Sequence, residues 1–315
     1  MPRRRSLLRR YLEVRGVVGT IRRPVIGARM VTSDGIALRG SYLAAPGRSE
    51  AVLLVHGFAA NRRKPAYARL AESFAEVAAV LAVDLRGHGG SGGRSTLGDR
   101  EARDVEAAVT WLRQLGHDRV VLVGASMGAT AVLHAVSRGL KVDGVVAISA
   151  PAEFRRPPAT SRPLTQLHRV WVSPVRRAVL RAGFGVALDG PEVWSDPPHP
   201  EEMARAIEVP LLVVHGEDDS YFPAADATRL AVAAAGPAVV WHEPVGFGHA
   251  EDGFSPAFRR RLASAIAVMS AEGRFPQRPN DLGGAGLSPA PPRPPFMRVR
   301  MRRFVRHRGD GANDG

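Results

Sequence analysis

The chain has 315 residues, 45% of them hydrophobic and 23% charged, which is enough for one large domain with a sizeable core. It contains no cysteine, which excludes disulfides, thiolate catalysis and cysteine-ligated metal sites. No continuous apolar run reaches about 18 residues, so we expect no membrane-spanning helix. The Arg-rich start lacks the apolar core of a cleaved secretory signal, so we expect a cytoplasmic protein, with peripheral membrane contact left open.

The net charge of +14 is concentrated at the two ends of the chain. Residues 1–27 contain eight Arg and one Glu, and residues 274–315 contain nine Arg and three Asp. Residues 28–273 are nearly neutral, with 27 Lys and Arg against 26 Asp and Glu. We therefore predict a basic N-terminal extension, a globular domain over 28–273 and a Pro- and Arg-rich tail that is disordered.

The N-terminal extension, 1–27, carries an apolar stripe at helical spacing with charged residues opposite it. This pattern fits a helix docked on its own domain, a basic amphipathic helix at an anionic membrane surface, or a transit peptide. The tail over 274–315 interleaves phenylalanines with arginines, a composition compatible with contacts to nucleic acid or to an anionic membrane.

The globular domain begins with a predicted β-hairpin over 28–46, in which alternating segments flank a Ser-Asp-Gly turn. Short β-branched runs then alternate with longer helical patterns. This alternation predicts an α/β fold with a mostly parallel central sheet and helices on both faces. Strands are predicted over 51–57, 77–85, 119–126, 144–150, 210–219 and 238–244, and helices over 65–76, 99–115, 127–138, 224–235 and 256–269.

Residues 152–209 interrupt the alternation with a Pro-rich segment that contains Arg-rich helical pieces around 164–182. We predict a small helical cap over the carboxyl edge of the sheet. Seven Arg and no acidic residue occupy 155–181, whereas the second half of the segment is acidic. A cap with internal salt bridges and a basic rim for anionic acyl substrates both remain open. Trp171, Phe184 and Trp194 either line a pocket or belong to the core.

The pattern Gly124-x-Ser126-x-Gly128 lies where a predicted strand runs into a predicted helix. This strand–turn–helix context is the one a nucleophile elbow requires. Serine by itself is a poor nucleophile and needs a base that is oriented by an acid. In this topology the acid and then the base should each follow a later strand.

Both partners have candidates. Glu217, Asp218 and Asp219 follow the strand over 210–219, and His249 lies in a Gly-rich loop after the strand over 238–244. An oxyanion hole also needs backbone donors, for which we predict the N–H of Met127 and the N–H of Phe58.

Other polar residues near strand ends are interpreted as structural. His56 and His215 stand at the ends of strands, where we expect them to brace loops rather than to carry protons. His88, Asp84 and Arg86 are expected to brace the loop that follows the strand over 77–85.

From about residue 29 to residue 271, the chain resembles the α/β-hydrolase superfamily. The resemblance is carried by five ordered motifs: LLVHGF, VDLRGHGGSGG, GASMGA, LLVVHGEDDSYFP and GFGHAED. It implies a triad of Ser126, Asp219 and His249. Asp219 is preferred to Asp218 because the family pattern H-G-x-x-D-x-x-V-P then fits, with Phe222 in place of Val. Residues 96–112 resemble the serine-aminopeptidase-like and dienelactone-hydrolase-like branches.

The sequence therefore predicts a serine hydrolase that cleaves a small-molecule ester or thioester through an acyl-enzyme, with no cofactor and no metal. Acyl transfer, peptidase action and perhydrolysis would use the same triad. An alternative of another class is a protein that binds nucleic acid or an anionic membrane through its basic ends. The substrate-binding residues are not predicted.

Overall fold

The computed structural model describes residues 21–154 and 161–279. Most of the predicted N-terminal extension and nearly all of the predicted tail lie outside the described residues, so their predicted roles stay predictions. In the described ranges, no helix is both long enough and apolar enough to cross a membrane.

Eight strands of the described chain form one sheet in the order β1-β2-β4-β3-β5-β6-β7-β8. β1 and β2 make the predicted hairpin, and β2 pairs antiparallel with β4, whereas all other neighbours are parallel. The predicted α/β fold with a mostly parallel sheet is confirmed. The strands are β1 Ile26–Val31, β2 Ala37–Leu43, β3 Glu50–Val55, β4 Ala79–Asp84, β5 Arg119–Ala125, β6 Gly144–Ile148, β7 Leu211–Gly216 and β8 Ala238–Glu243.

The α-helix Pro200–Ala204 was not predicted, whereas the other α-helices of the described chain lie close to predicted positions. They are α1 Pro65–Phe74, α2 Glu101–Gln114, α3 Met127–Ser137, α4 Arg162–Trp171, α5 Pro174–Phe184, α6 Pro200–Ala204, α7 Ala225–Ala233 and α8 Pro256–Glu272. Short 3₁₀ turns occur at Pro191–Val193 and Ala250–Gly253.

The central strands are buried on both faces, which explains why they are continuous apolar runs rather than alternating ones. In β3, Leu53 and Val55 pack into one core with α2, α3 and α7, whereas Val52 and Leu54 pack into a second core with α1 and α8. Helices thus cover both faces, and the carboxyl ends of the parallel strands are the free edge at which ligands bind in folds of this kind.

The chain between β6 and β7 is anchored at two places along this edge. On one side, the Ser161 hydroxyl donates to the carbonyl of Ser220, in the loop after β7, at 2.8 Å. On the other, the Ala187 N–H donates to the carbonyl of Gly87, in the loop after β4, at 2.8 Å. β3, β5 and β6 lie between β4 and β7 in the sheet. The two anchors therefore lie on either side of the edge where β5 ends.

Candidate active site

Ser126 lies in a strained turn between β5 and α3. Its backbone has φ 51° and ψ −120°, a positive-φ conformation that is costly for a residue with a side chain. The two flanking glycines make the turn possible. A Cβ on Gly124 would lie 2.4 Å from the Gly128 carbonyl oxygen, and one on Gly128 would lie 2.5 Å from the His56 carbonyl oxygen. The chain therefore makes the tight strand–turn–helix transition at Ser126 that the spacing predicted.

The side chains of Ser126, His249 and Asp219 form one hydrogen-bonded chain. His249 Nε2 lies 2.9 Å from Ser126 Oγ, and His249 Nδ1 lies 2.8 Å from Asp219 Oδ2. The loops after β5, β7 and β8 bring the three residues together from positions up to 123 residues apart. This geometry lets an imidazole take the serine proton while a carboxylate orients the ring.

The side chain of Asp219 is fully buried and surrounded by donors. Its Oδ1 accepts from the N–H groups of Tyr221 and Phe222 at 2.8 and 3.2 Å. Its Oδ2 faces His215 Nε2 at 3.3 Å as well as His249. Burial alone would raise the pKa of Asp219, but the hydrogen bonds from His215 and His249 outweigh it and hold this pKa well below its usual range. The carboxylate is therefore ionised at neutral pH.

The Asp218 carboxylate makes hydrogen bonds to the backbone rather than to His249. Its two oxygens accept from the N–H groups of Gly246 and Gly248 at 2.8 and 2.9 Å. These backbone bonds lower the pKa of Asp218. Asp218 thus holds the loop that carries His249, whereas Asp219 contacts the imidazole itself.

The His249 ring is packed by neighbours that the sequence interpretation did not identify. The Tyr221 ring stacks on it, with centroids 4.2 Å apart and planes 28° apart, and the Phe222 ring meets it edge-on at 5.6 Å. The next residue, Ala250, donates its N–H to Ser149 Oγ at 2.9 Å. Ring packing and a tethered backbone together restrict the orientation of the imidazole. The sequence signal that could have identified these two neighbours is their position, because Tyr221 and Phe222 come shortly after Asp219 in the same loop.

The two N–H groups predicted as oxyanion donors lie at the start of α3 and in the loop after β3. Met127 is the first residue of α3, so its N–H is one of those that have no partner within the helix. Phe58 lies in the loop after β3, between two residues whose N–H groups already donate hydrogen bonds. Gly57 donates to the Tyr67 hydroxyl at 3.0 Å, and Ala59 donates to His88 Nε2 at 3.2 Å. Within the described chain, no residue accepts a hydrogen bond from the N–H of Phe58 or Met127.

A buried polar link connects this loop to the loop that carries His249. The Tyr67 hydroxyl, which accepts from Gly57, donates to Glu251 Oε2 at 2.8 Å, and Lys64 forms an ion pair with the same carboxylate. Burial raises the pKa of Glu251, but Lys64 and Tyr67 outweigh it, so the net shift is downward. The sequence interpretation missed this link.

The predicted bracing role of His56 agrees with its contacts. Its Nδ1 lies 2.8 Å from the Gly57 carbonyl oxygen, and its Nε2 accepts from the Leu85 N–H at 3.0 Å. Burial lowers the pKa of His56 well below its usual value, so the ring is neutral. His88, between Arg86 and Ala59, braces the neighbouring loop in the same way.

The prediction for His215 was incomplete. Its Nε2 does brace its loop, at 3.2 Å from the Phe222 carbonyl oxygen, but it also faces Asp219 directly. Asp84 and Arg86 brace their loop as predicted. Asp84 accepts from the Gly90 N–H at 2.8 Å, and the Arg86 guanidinium binds Asp104 and Asp34.

The aromatic residues of the chain between β6 and β7 partly cluster. Trp194 lies edge-on to Trp171 at 5.7 Å and to Phe154 at 5.1 Å, whereas Phe184 is 40% exposed at the end of α5. Ion pairs join Arg94 to Asp189 and Arg177 to Glu192. Among residues 21–154 and 161–279, no three side chains of metal-ligating type converge.

Comparison with known proteins gives one family and several structural relatives. A family model described as the alpha/beta hydrolase fold matches residues 50–194. An uncharacterized protein of Mycobacterium tuberculosis is 32% identical over 211 residues, which are 65% of this chain and 66% of that protein. The match thus spans slightly less than two thirds of that relative.

Two solved structures share the fold. The Pyrococcus furiosus esterase Pf2001 is 21% identical, with a TM-score of 0.61 over 80% of this chain and 97% of that one. The esterase RhEst1 of Rhodococcus sp. ECU1013 is 21% identical, with a TM-score of 0.57 over 78% of this chain and 98% of that one.

Proposed function

The chain belongs to the α/β-hydrolase superfamily, and on that premise we propose that it is a serine hydrolase acting on carboxylic esters or thioesters. The observation that carries the proposal is the continuous hydrogen-bonded chain from Ser126 through His249 to Asp219 at the carboxyl edge of the sheet. The esterases among the structural neighbours support the reaction class.

The reaction proceeds in two halves. Ser126 Oγ attacks the acyl carbonyl carbon while His249 Nε2 takes the hydroxyl proton. The tetrahedral intermediate collapses, the bond to the leaving group breaks, and His249 returns the proton to that group. Water then attacks the acyl-enzyme with His249 as base, which releases the acid and restores Ser126. Asp219 fixes the His249 tautomer and stabilises the imidazolium.

The negative charge of each tetrahedral intermediate falls on the former carbonyl oxygen. We assign its stabilisation to the N–H groups of Phe58 and Met127. Each donor of this kind contributes about 2.7–4 kcal/mol to transition-state stabilisation. The Tyr67 hydroxyl fixes Gly57, next to Phe58, and so supports the donor before substrate arrives.

Acyl transfer, peptide cleavage and perhydrolysis share every step as far as the acyl-enzyme and differ in the leaving group or in the acceptor. Hydrolysis is the preferred assignment because water needs no dedicated acceptor site.

A panel of esters and thioesters of graded acyl length and charge tests the proposal. Wild-type protein should hydrolyse a subset of the panel, and Ser126→Ala should lower kcat on each member by roughly a millionfold. The matched control is Ser91→Ala, because Ser91 also lies among glycines but bonds to Arg39 and Asp84. Equal loss in both variants, or full activity in Ser126→Ala, would refute the assignment.

A further inference from the structure

The helices α4 and α5 pack against each other as a hairpin and contain an unusual charge distribution. Residues 161–188 include five Arg and no acidic residue. Neither helix has a fully buried residue. We refer to the exposed arginines and valines of this hairpin as its outer face; they are Arg162, Arg169, Val172, Val175, Arg176, Val179 and Arg181.

An apolar stripe runs along the outer face. Val172, Val175 and Val179 are 46%, 71% and 62% exposed. Val175 and Val179 are four residues apart in α5, so at about 100° per residue they lie on one side of that helix, and Val172 lies in the short connection just before it. Ala178 and Ala182 continue the stripe and are exposed as well. Among residues 21–154 and 161–279, no packing partner covers these valines.

Exposed arginines flank the stripe. Arg176 lies on one side of it and Arg181 on the other, while Arg162 and Arg169 extend the charge along α4. In the described part of the chain, none of the four has an acidic partner. Arg177, in contrast, is turned inward, where it binds Glu192 and the carbonyl of Trp171. The ion pairs of this segment therefore do not neutralise the positive charge of the outer-face arginines.

We propose that the outer face of the α4–α5 hairpin docks on the surface of an anionic lipid bilayer. In that position the valines lie at the boundary between headgroups and acyl chains, and the guanidinium groups bind lipid phosphates. A nucleic acid would satisfy the arginines but leave the valines in water. The arginines on both sides of the stripe fit a uniformly anionic surface, which has an apolar layer directly beneath its charge.

The docking surface is independent of the chemistry proposed for Ser126. The Ser126→Ala variant should bind vesicles as tightly as the wild type, so failure of one proposal leaves the other intact. Because the chain between β6 and β7 is anchored on both sides of the edge where β5 ends, docking would hold the Ser126 edge of the domain near the bilayer.

Vesicle co-sedimentation with the full-length chain tests the stripe. The vesicles consist of phosphatidylcholine alone or mixed with phosphatidylserine. The double variant V175S/V179S should bind the anionic vesicles about tenfold more weakly than the wild type. It replaces methyl groups that become buried in the bilayer on docking with hydroxyl groups. The matched control is V31S/V232S, because Val31 and Val232 are also exposed, at 68% and 81%, but lie elsewhere on the domain. This control should bind like the wild type.

The arginines are tested in the same assay. R176Q/R181Q should weaken binding by about fivefold per residue removed, since each Arg near an anionic surface contributes roughly 1 kcal/mol. R29Q/R48Q removes the same charge from exposed positions outside the hairpin and should have a smaller effect.

A fluorescent label distinguishes docking through the hairpin from attraction through the basic ends. The chain has no cysteine, so V179C and V232C each offer one labelling site for an environment-sensitive fluorophore. Emission from V179C should shift to the blue on anionic vesicles but not on soluble heparin, and emission from V232C should not shift. The proposal is overturned if the bound protein leaves the V179C label in water, if V175S/V179S binds like the wild type, or if heparin produces the same shift.

Discussion

Substitution of Tyr67 by Phe tests whether the buried link between the Phe58 loop and the His249 loop supports catalysis. The Tyr67 side chain is fully buried, and its hydroxyl accepts from Gly57 at 3.0 Å and donates to Glu251 at 2.8 Å. Burial raises the pKa of Tyr67 well above its usual value, so the hydroxyl stays protonated over the working pH range. Y67F removes both hydrogen bonds and leaves the ring in place.

The expected loss of stability follows from the two hydrogen bonds that Y67F removes. A neutral hydrogen bond contributes about 1 kcal/mol to stability, and one to a carboxylate contributes about 1.5–3 kcal/mol. We expect Y67F to lose roughly 2–4 kcal/mol of unfolding free energy, partly offset because Lys64 still neutralises Glu251. Y67F also removes the hydrogen bond that fixes Gly57, so the N–H of the neighbouring Phe58 is held less firmly. This change should lower kcat about tenfold with little change in KM, because the proposed oxyanion contact forms only in the transition state.

Urea unfolding and steady-state ester hydrolysis measure the two effects. The matched control is Tyr42→Phe, because Tyr42 is also buried and its hydroxyl bonds to His117 at 2.8 Å, away from Ser126. Y42F should lose about 1 kcal/mol and keep the wild-type kcat. Equal kcat values in Y67F and Y42F would refute the positioning role, and equal stability losses would refute the two-bond account.

Three further predictions concern the same edge of the sheet. Asp219→Asn should lower kcat by about four orders of magnitude, whereas Asp218→Asn should leave kcat within a few-fold of the wild type, and ester kinetics would contradict the assignment if the order were reversed. His215→Met, which removes a donor to Asp219, should be less stable at neutral pH than His215→Gln, which keeps one. Because the folded pKa of Asp219 is depressed, the stability it contributes is present above its unfolded pKa of about 3.9 and is lost as pH falls below it. The difference between the two variants in unfolding free energy should therefore persist at about pH 4 and shrink only at more acidic pH, as the pH falls through the depressed folded pKa of Asp219. A difference that is already lost at about pH 4 would contradict the cause given for the shift. Gly128→Ala should prevent accumulation of folded protein because of the contact with the His56 carbonyl, whereas Gly183→Ala, with open space around it, should melt at or above the wild-type temperature.

The fold could be predicted because its signals are local. Burial of β3 to β7 on both faces makes each strand a continuous apolar run, and the helices between them keep a helical period. The boundary between α4 and α5 was also present in the sequence, although the predicted helical pieces around 164–182 were given no boundary between them. Ser161 and Ser173 each precede a helix with an early proline, and each accepts from a backbone N–H of the first turn.

The site could be predicted only in part. Ser126 and His249 follow from their places after strands, but spacing alone could not choose between Asp218 and Asp219. That choice depends on which carboxylate the loop turns toward His249 and which it turns toward Gly246 and Gly248. The Tyr67–Glu251 bond joins residues 184 apart, and no local pattern encodes it.

Covalent labelling with a fluorophosphonate probe tests the central claim most directly. The probe phosphonylates an activated serine, and mass spectrometry of the digested protein identifies the modified residue. We predict one probe molecule per chain, carried by the peptide that contains Ser126, with labelling abolished in Ser126→Ala and strongly slowed in His249→Ala. Labelling of another serine, or labelling that persists in Ser126→Ala, would contradict the account.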